Sequence, residues 1–187
     1  MGTNNREAIL EAAKKAAQAH GYSGLNFRDL AESVGIKSAS IHYHFPGKAD
    51  LGAAVAKRYW EDSAAKLDAM LEAFPDPLEC LRQYPNTFRQ SLESDNRMCL
   101  CSYMAAEYDD LPDGVKTEVQ AFADVNVAWL AKVLAATGKL SARESAGRAR
   151  AIYAAIAGAQ LVARSRSDIA LFDSLIENYR AAGLLPA

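Results

Sequence analysis

Much of what this 187-residue chain is not can be read from what its sequence lacks. No apolar run approaches the roughly 18 residues that a membrane-spanning helix needs, so no membrane partner is expected. The N-terminal MGTNNRE has neither the basic start nor the apolar stretch of a secretory signal. Three cysteines, Cys80, Cys99 and Cys101, are odd in number and too few for a disulfide framework. They fit a reducing compartment, and the cytoplasm is the expected location. Alternating strand patterns are nearly absent, and alanine-rich segments of helical period dominate, which predicts an all-α fold. There is no G-x-S-x-G, phosphate-binding loop, dinucleotide glycine turn or H-E-x-x-H, so neither an enzyme nor a cofactor is expected. Glu107, Asp109 and Asp110 form an acidic cluster, but Asp109 and Asp110 followed by Pro112 more simply end one helix and cap the next. His20, His42 and His44 lack a Cys or carboxylate at ligand spacing, and Cys99 and Cys101 diverge on a helix, so no metal is expected.

Charge of one sign is also missing, since the chain carries a net −2. Residues 1 to 50 hold six Lys and Arg against five Asp and Glu, and the remainder holds fifteen against eighteen. A nearly neutral N-terminal segment would not coat a polyanion indiscriminately. Its affinity would come from a few placed contacts, doubled in a dimer.

What the sequence does contain is concentrated between Phe27 and Phe45, FRDLAESVGIKSASIHYHF. Asn26 can N-cap a first helix, with Asp29 three residues on in an approximate capping box. Leu30, Ala31 and Val34 fall on one face, and Gly35 accepts the left-handed conformation of a sharp turn. A second helix runs from about Lys37 to His44. Ile41 and Phe45 point inward, leaving small, polar and aromatic residues outward, a profile that fits a major groove. Taken alone, IHYHF also reads as an amphipathic helix with two solvated histidines.

The flanks add a helix from Arg6 to Gly21, with Ile9, Leu10, Ala13, Ala16 and Ala17 apolar. A Pro46-Gly47-Lys48 turn then opens a connecting helix. Helix, helix-turn-helix, the H-F-x-x-K segment from His44 to Lys48 and the connecting helix together resemble the N-terminal domain of the TetR family of transcriptional regulators, over residues 6 to about 58. The resemblance implies a DNA-binding domain over residues 1–48 and a helical effector-binding and dimerisation domain over 49–187. It implies base contacts from Ser38, Ala39 and His42, and phosphate contacts from Arg28, Lys37, Ser40, Tyr43, His44 and Lys48. Implied partners are a double-stranded, near-palindromic DNA operator, a second copy of the chain and a small-molecule effector, with repression as the family's usual mode. Two positions depart from the family: His42 stands where Tyr is usual, and Ala16-Ala17 replace a bulkier pair.

The rest of the chain divides at prolines and glycines. Helices are expected over about Lys48 to Phe74, Leu78 to Ser94 with a kink at Pro85, Met98 to Tyr108, Pro112 to Thr137, Ser141 to Arg164 and Asp168 to Ala182. The segment Ala149 to Ala163 is apolar on nearly all faces. Ala154, Ala155, Gly158 and Ala159 offer a small-residue surface that suits either burial within one chain or close approach of another helix. The resemblance favours pairing through the last two helices, which adds Ile169, Leu171, Phe172, Leu175 and Ile176 as interface candidates.

Tyr84, Phe88, Cys99, Tyr103, Met104, Phe122, Trp129 and Tyr153 are the candidate effector-pocket residues; core packing is the alternative for each. The segment RMCLCSYMAAE resembles a cysteine-sensing stretch of some TetR-type regulators, with Cys99 at the matching position and Cys101 beside it. Arg97 is placed to favour a thiolate, which makes a redox- or electrophile-responsive regulator or binding protein the second functional reading. Burial as small hydrophobes is its alternative.

Overall fold

The computed structural model describes residues 2–187, with side chains from residue 5 onward. Among them every regular element is a helix, in the order α1 (Gly2–His20), α2 (Phe27–Val34), α3 (Ser38–His44), α4 (Lys48–Ala73), α5 (Pro77–Gln83), α6 (Asn86–Glu93), α7 (Leu100–Ala106), α8 (Asp113–Ala136), α9 (Ala142–Ser165) and α10 (Ile169–Ala181). Short 3-10 turns occupy Tyr22–Gly24 and Tyr108–Asp110. Met1, where the expected first domain begins, lies outside the described residues.

The chain forms two compact units. The first holds the residues up to Asp62 together with Leu100–Phe122, and the second holds Ser63–Cys99 and Ala123–Ala187. Thus α4 and α8 each supply residues to both. The core of the first unit includes Ile9, Leu10, Ala13 and Ala17 of α1, Leu30 and Ala31 of α2, Ile41 and Phe45, Leu51 and Val55 of α4, and Leu100 and Met104 of α7. In the second unit, Tyr84, Phe88, Trp129, Leu130, Ile152, Ile156 and Phe172 are buried.

Local signals explain most helix ends. The Asn26 side chain accepts from the Arg28 and Asp29 amides at 2.9 and 3.4 Å. Gly35 closes α2 in the left-handed region at φ 75°. Ser141 and Glu144 form a complete capping box at the start of α9.

Three expectations are corrected. Pro85 does not merely kink one helix: the segment is two helices, α5 and α6, meeting at Tyr84-Pro85. Both junction residues keep right-handed helical dihedrals, but proline supplies no N–H to the α5 ladder and instead opens α6. The helix expected from Met98 starts at Leu100 and ends at Ala106. Finally, α8 is long and apolar enough, by length and composition, to cross a membrane, with a mean hydropathy of 1.3 over eighteen residues. The core helix of a water-soluble protein passes the same test, and Val119, Phe122, Asn126, Trp129, Leu130 and Val133 are buried in the protein. Asn126 accepts a hydrogen bond from the Tyr84 hydroxyl at 2.9 Å, which satisfies a polar group that lipid would leave costly.

Candidate nucleic-acid interface

The outward face of α3 is held in place by what lies beneath it. Ile41 and Phe45 are buried, and α3 packs against both α1 and α2. The Arg6 guanidinium lies over the Phe45 ring, 5.3 Å from its centroid, a cation–π contact with this anchor. At the entry to α4, the Gly47 amide donates to Asp50 Oδ2 at 2.9 Å, which fixes the turn after α3.

On this support Arg28, Lys37, Ser38, Ala39, His42 and Tyr43 are exposed, while Ser40, His44 and Lys48 are half-buried. Tyr43 is 84% exposed, an unusual position for a large ring with no partner to cover it. Its ring meets that of His44 edge-on, with centroids 5.1 Å apart. The His42 ring packs near Phe27 at 4.8 Å, and its Nδ1 lies 3.4 Å from the Pro46 carbonyl oxygen. Lys48 extends its Nζ over the Tyr22 ring, 4.6 Å from the centroid, and lies 3.4 Å from the Ser23 carbonyl oxygen. All nine candidate DNA-contact residues fall in the first compact unit, on α2, α3, the turn between them and the first residue of α4. Tyr22, the support beneath Lys48, was not legible as part of this face, because it lies outside the motif.

The candidate effector residues are divided. Tyr84, Phe88, Cys99, Trp129 and Tyr153 belong to the second unit, whereas Tyr103, Met104 and Phe122 belong to the first. Within the second unit, Tyr84 stacks on Trp129 at 5.7 Å and 20°, and Phe88 meets Tyr153 edge-on at 6.2 Å. Burial pushes the Tyr84 hydroxyl well above the usual tyrosine range. Gln160 bridges this cluster: it donates to the Phe88 carbonyl at 2.6 Å and accepts from the Cys99 amide at 3.0 Å. Gln160 and Asn126, both buried, were missed at the sequence level. The signal was one amide inside a short apolar stretch, residues 125–130 and 157–163 respectively for Asn126 and Gln160.

Several interface candidates are also corrected. Phe172 and Ile176 are only 1% and 4% exposed, and Ala159 is buried, so all three face their own chain. The cause is that α10 packs on α6 and α9, an arrangement tied by Arg89, whose Nε and Nη2 reach Asp173 Oδ1 and Oδ2 at 2.7 and 2.9 Å. Ala154 and Gly158 are exposed, and Ala155, Ile169, Leu171 and Leu175 are half-buried. Leu161, 53% exposed, and Val162 extend the exposed stripe of α9 and were not anticipated.

The three thiols are all buried. Cys80 donates to the Phe74 carbonyl at 3.2 Å, and burial raises its pKa. Arg97 pairs with Asp95 at 3.1 Å, so its charge is already engaged rather than directed at a thiolate. Burial of this kind suits small hydrophobic packing groups.

Comparison with known proteins bears on the same segments. Residues 9–55 match the family model described as "Bacterial regulatory proteins, tetR family". A transcriptional repressor of Corynebacterium glutamicum, AcnR, is 37% identical over 70 residues, 37% of this chain and 36% of that protein. The regulator LmrA of Bacillus subtilis is 32% identical over 43% of this chain and 44% of its own length. The chain therefore spans well under half the length of these curated relatives. Over nearly the full length, a TetR transcriptional regulator from Legionella pneumophila has a TM-score of 0.88 at 29% identity, covering 94% of this chain and 95% of that one. A regulator of the same family from Agrobacterium tumefaciens has a TM-score of 0.85 at 30% identity, with the same coverage.

Proposed function

The chain belongs to the TetR family of bacterial regulatory proteins, and from that membership we propose that it is a transcriptional repressor that binds a near-palindromic DNA operator as a homodimer and leaves it on binding a small-molecule effector. The observation that carries the reading is the α3 face: Lys37, Ser38, Ala39, His42 and Tyr43 stand in solvent on a helix anchored by buried Ile41 and Phe45. In this reading residues 1–48 are the DNA-binding domain and 49–187 the effector-binding and dimerisation domain. Ser38, Ala39 and His42 meet base edges, while Arg28, Lys37, Ser40, Tyr43, His44 and Lys48 bind phosphates. The exposed stripe Ala154, Gly158, Leu161 and Val162 on α9, with the half-buried residues of α10, pairs two copies.

The effector acts by population shift. It binds better when α4, which carries residues of both compact units, is posed so that the two α3 helices no longer match successive major grooves. The aromatic cluster of Tyr84, Phe88, Trp129 and Tyr153, with Gln160 and Asn126 as neutral hydrogen-bonding groups, supports an uncharged, largely apolar effector. Repression follows the mode named for the Corynebacterium relative, and the relatives are regulators rather than enzymes. Burial of Cys99 and the pairing of Arg97 with Asp95 weigh against the thiol-responsive alternative. Selection of bound duplexes from a random pool tests the function: a symmetric sequence should be enriched, and a pool with no enriched sequence would refute it.

A further inference from the structure

Gly21 ends α1 at φ 66°, and the space where a side chain would stand is filled by the Glu107 carboxylate. A Cβ added at Gly21 would lie 2.6 Å from Glu107 Cδ and 2.7 Å from its Oε1. From the C-terminal end of α7, Glu107 accepts a hydrogen bond from the Tyr22 backbone N–H at 2.6 Å, in a part-buried setting. A carboxylate acceptor makes this bond roughly twice as strong as a neutral pair would. The Tyr22 side chain is held as closely as its backbone. Gly52 of α4 approaches the ring so tightly that a Cβ there would lie 2.7 Å from Tyr22 Cε2 and 3.0 Å from Val115 Cγ2. This confined ring is the one that Lys48 Nζ lies over at 4.6 Å.

Resting on the DNA-binding reading above, we propose that Glu107 is a positioning residue for DNA binding: its carboxylate pins the turn after α1 at Tyr22, so that the Tyr22 ring holds Lys48 at the DNA-facing start of α4. All of these groups lie in the first compact unit. Glu107 is thereby removed from the acidic cluster with Asp109 and Asp110, whose side chains take no part in the latch. The freedom of Lys48, a long and rotamer-rich side chain, is reduced before DNA arrives, so less is lost on contact with a phosphate.

The test uses the full chain and the duplex enriched from the random pool. Glu107→Ala should weaken binding by about tenfold and lower the slope of log affinity against log salt by about one unit for each Lys48 released. Adding Lys48→Ala should then cost little more. Glu107→Gln, whose amide oxygen can still accept from Tyr22, should retain most of the affinity. A wild-type salt slope in Glu107→Ala, or a full additive loss from Lys48→Ala in that background, overturns the proposal. A DNA-free measurement separates it from the function itself: amide hydrogen exchange at Tyr22 should be faster in Glu107→Ala than in the wild type or Glu107→Gln. Equal exchange rates refute the latch whether or not any duplex is enriched. Should Glu107→Ala fail to fold, Tyr22→Leu keeps the backbone donor but removes the ring, and it must lower the salt slope; an unchanged slope overturns the proposal.

Discussion

In the proposed reading the neighbours His42 and Tyr43 take different tasks. His42 is steadied by Phe27 and the Pro46 carbonyl, whereas Tyr43 projects with little beneath it. Replacing Tyr43 with Ala should therefore weaken binding evenly across duplex sequences, while His42→Ala should change the preferred base at one position per half-site. Comparing the pools enriched by the two variants checks this; equal, sequence-independent losses would contradict the division of roles. Phe45 works from below. It is 3% exposed, and Phe45→Ala should cost about 3–5 kcal/mol in denaturant unfolding, the usual range for truncating a buried aromatic. Cys99→Ser, by contrast, should leave operator binding unaltered in the presence of peroxide, because the thiol is buried. The residues that expose a recognition face were legible because they belong to a compact motif. Tyr22 and Glu107 were not, since they meet Lys48 only through contacts between sequence segments 85 and 26 residues apart.

Helix boundaries were legible wherever a cap is local. Asn26, Gly35 and the Ser141–Glu144 pair each satisfy backbone groups within a few residues, and the structure uses all of them. Asn26→Ala should destabilise the fold by about 1 kcal/mol in thermal unfolding, with α2 as the affected element. The orientation of α10 was not legible, because an amphipathic pattern marks an apolar face without saying which neighbour covers it. Phe172 and Ile176 are buried where α10 packs on α6 and α9, and Arg89 of α6 holds Asp173 of α10 with two bonds beside them. That pairing lowers the Asp173 pKa below the ordinary carboxylate value. Since the folded value is the depressed one, its stabilisation is fully present above about pH 4 and is lost as pH falls through the folded value. The melting-temperature gap between the wild type and Asp173→Asn should accordingly be widest near neutrality and close in acid. A gap that widens in acid would show that the pair is not the cause.

At the scale of the whole molecule, family membership and the all-helical architecture were accessible from the N-terminal motif and the helical period, while the grouping of helices into compact units was not. Leu100–Phe122 joins the N-terminal helices although it follows them by some forty residues, so Tyr103, Met104 and Phe122 group with the first unit. The exposed stripe on α9 gives the pairing of two copies its own test. Leu161→Glu should convert a dimer to monomers in sedimentation equilibrium while leaving helix content unchanged, because an uncompensated charge would be buried at a helix–helix contact. A dimer that persists would move the interface elsewhere. The central claim, two coupled reading helices on one operator, is tested most directly by inserting about five base pairs, half a helical turn, between the half-sites of the enriched duplex. The account predicts that this insertion removes most of the affinity, because one reading helix then faces the wrong side of the DNA; binding at undiminished affinity would contradict it.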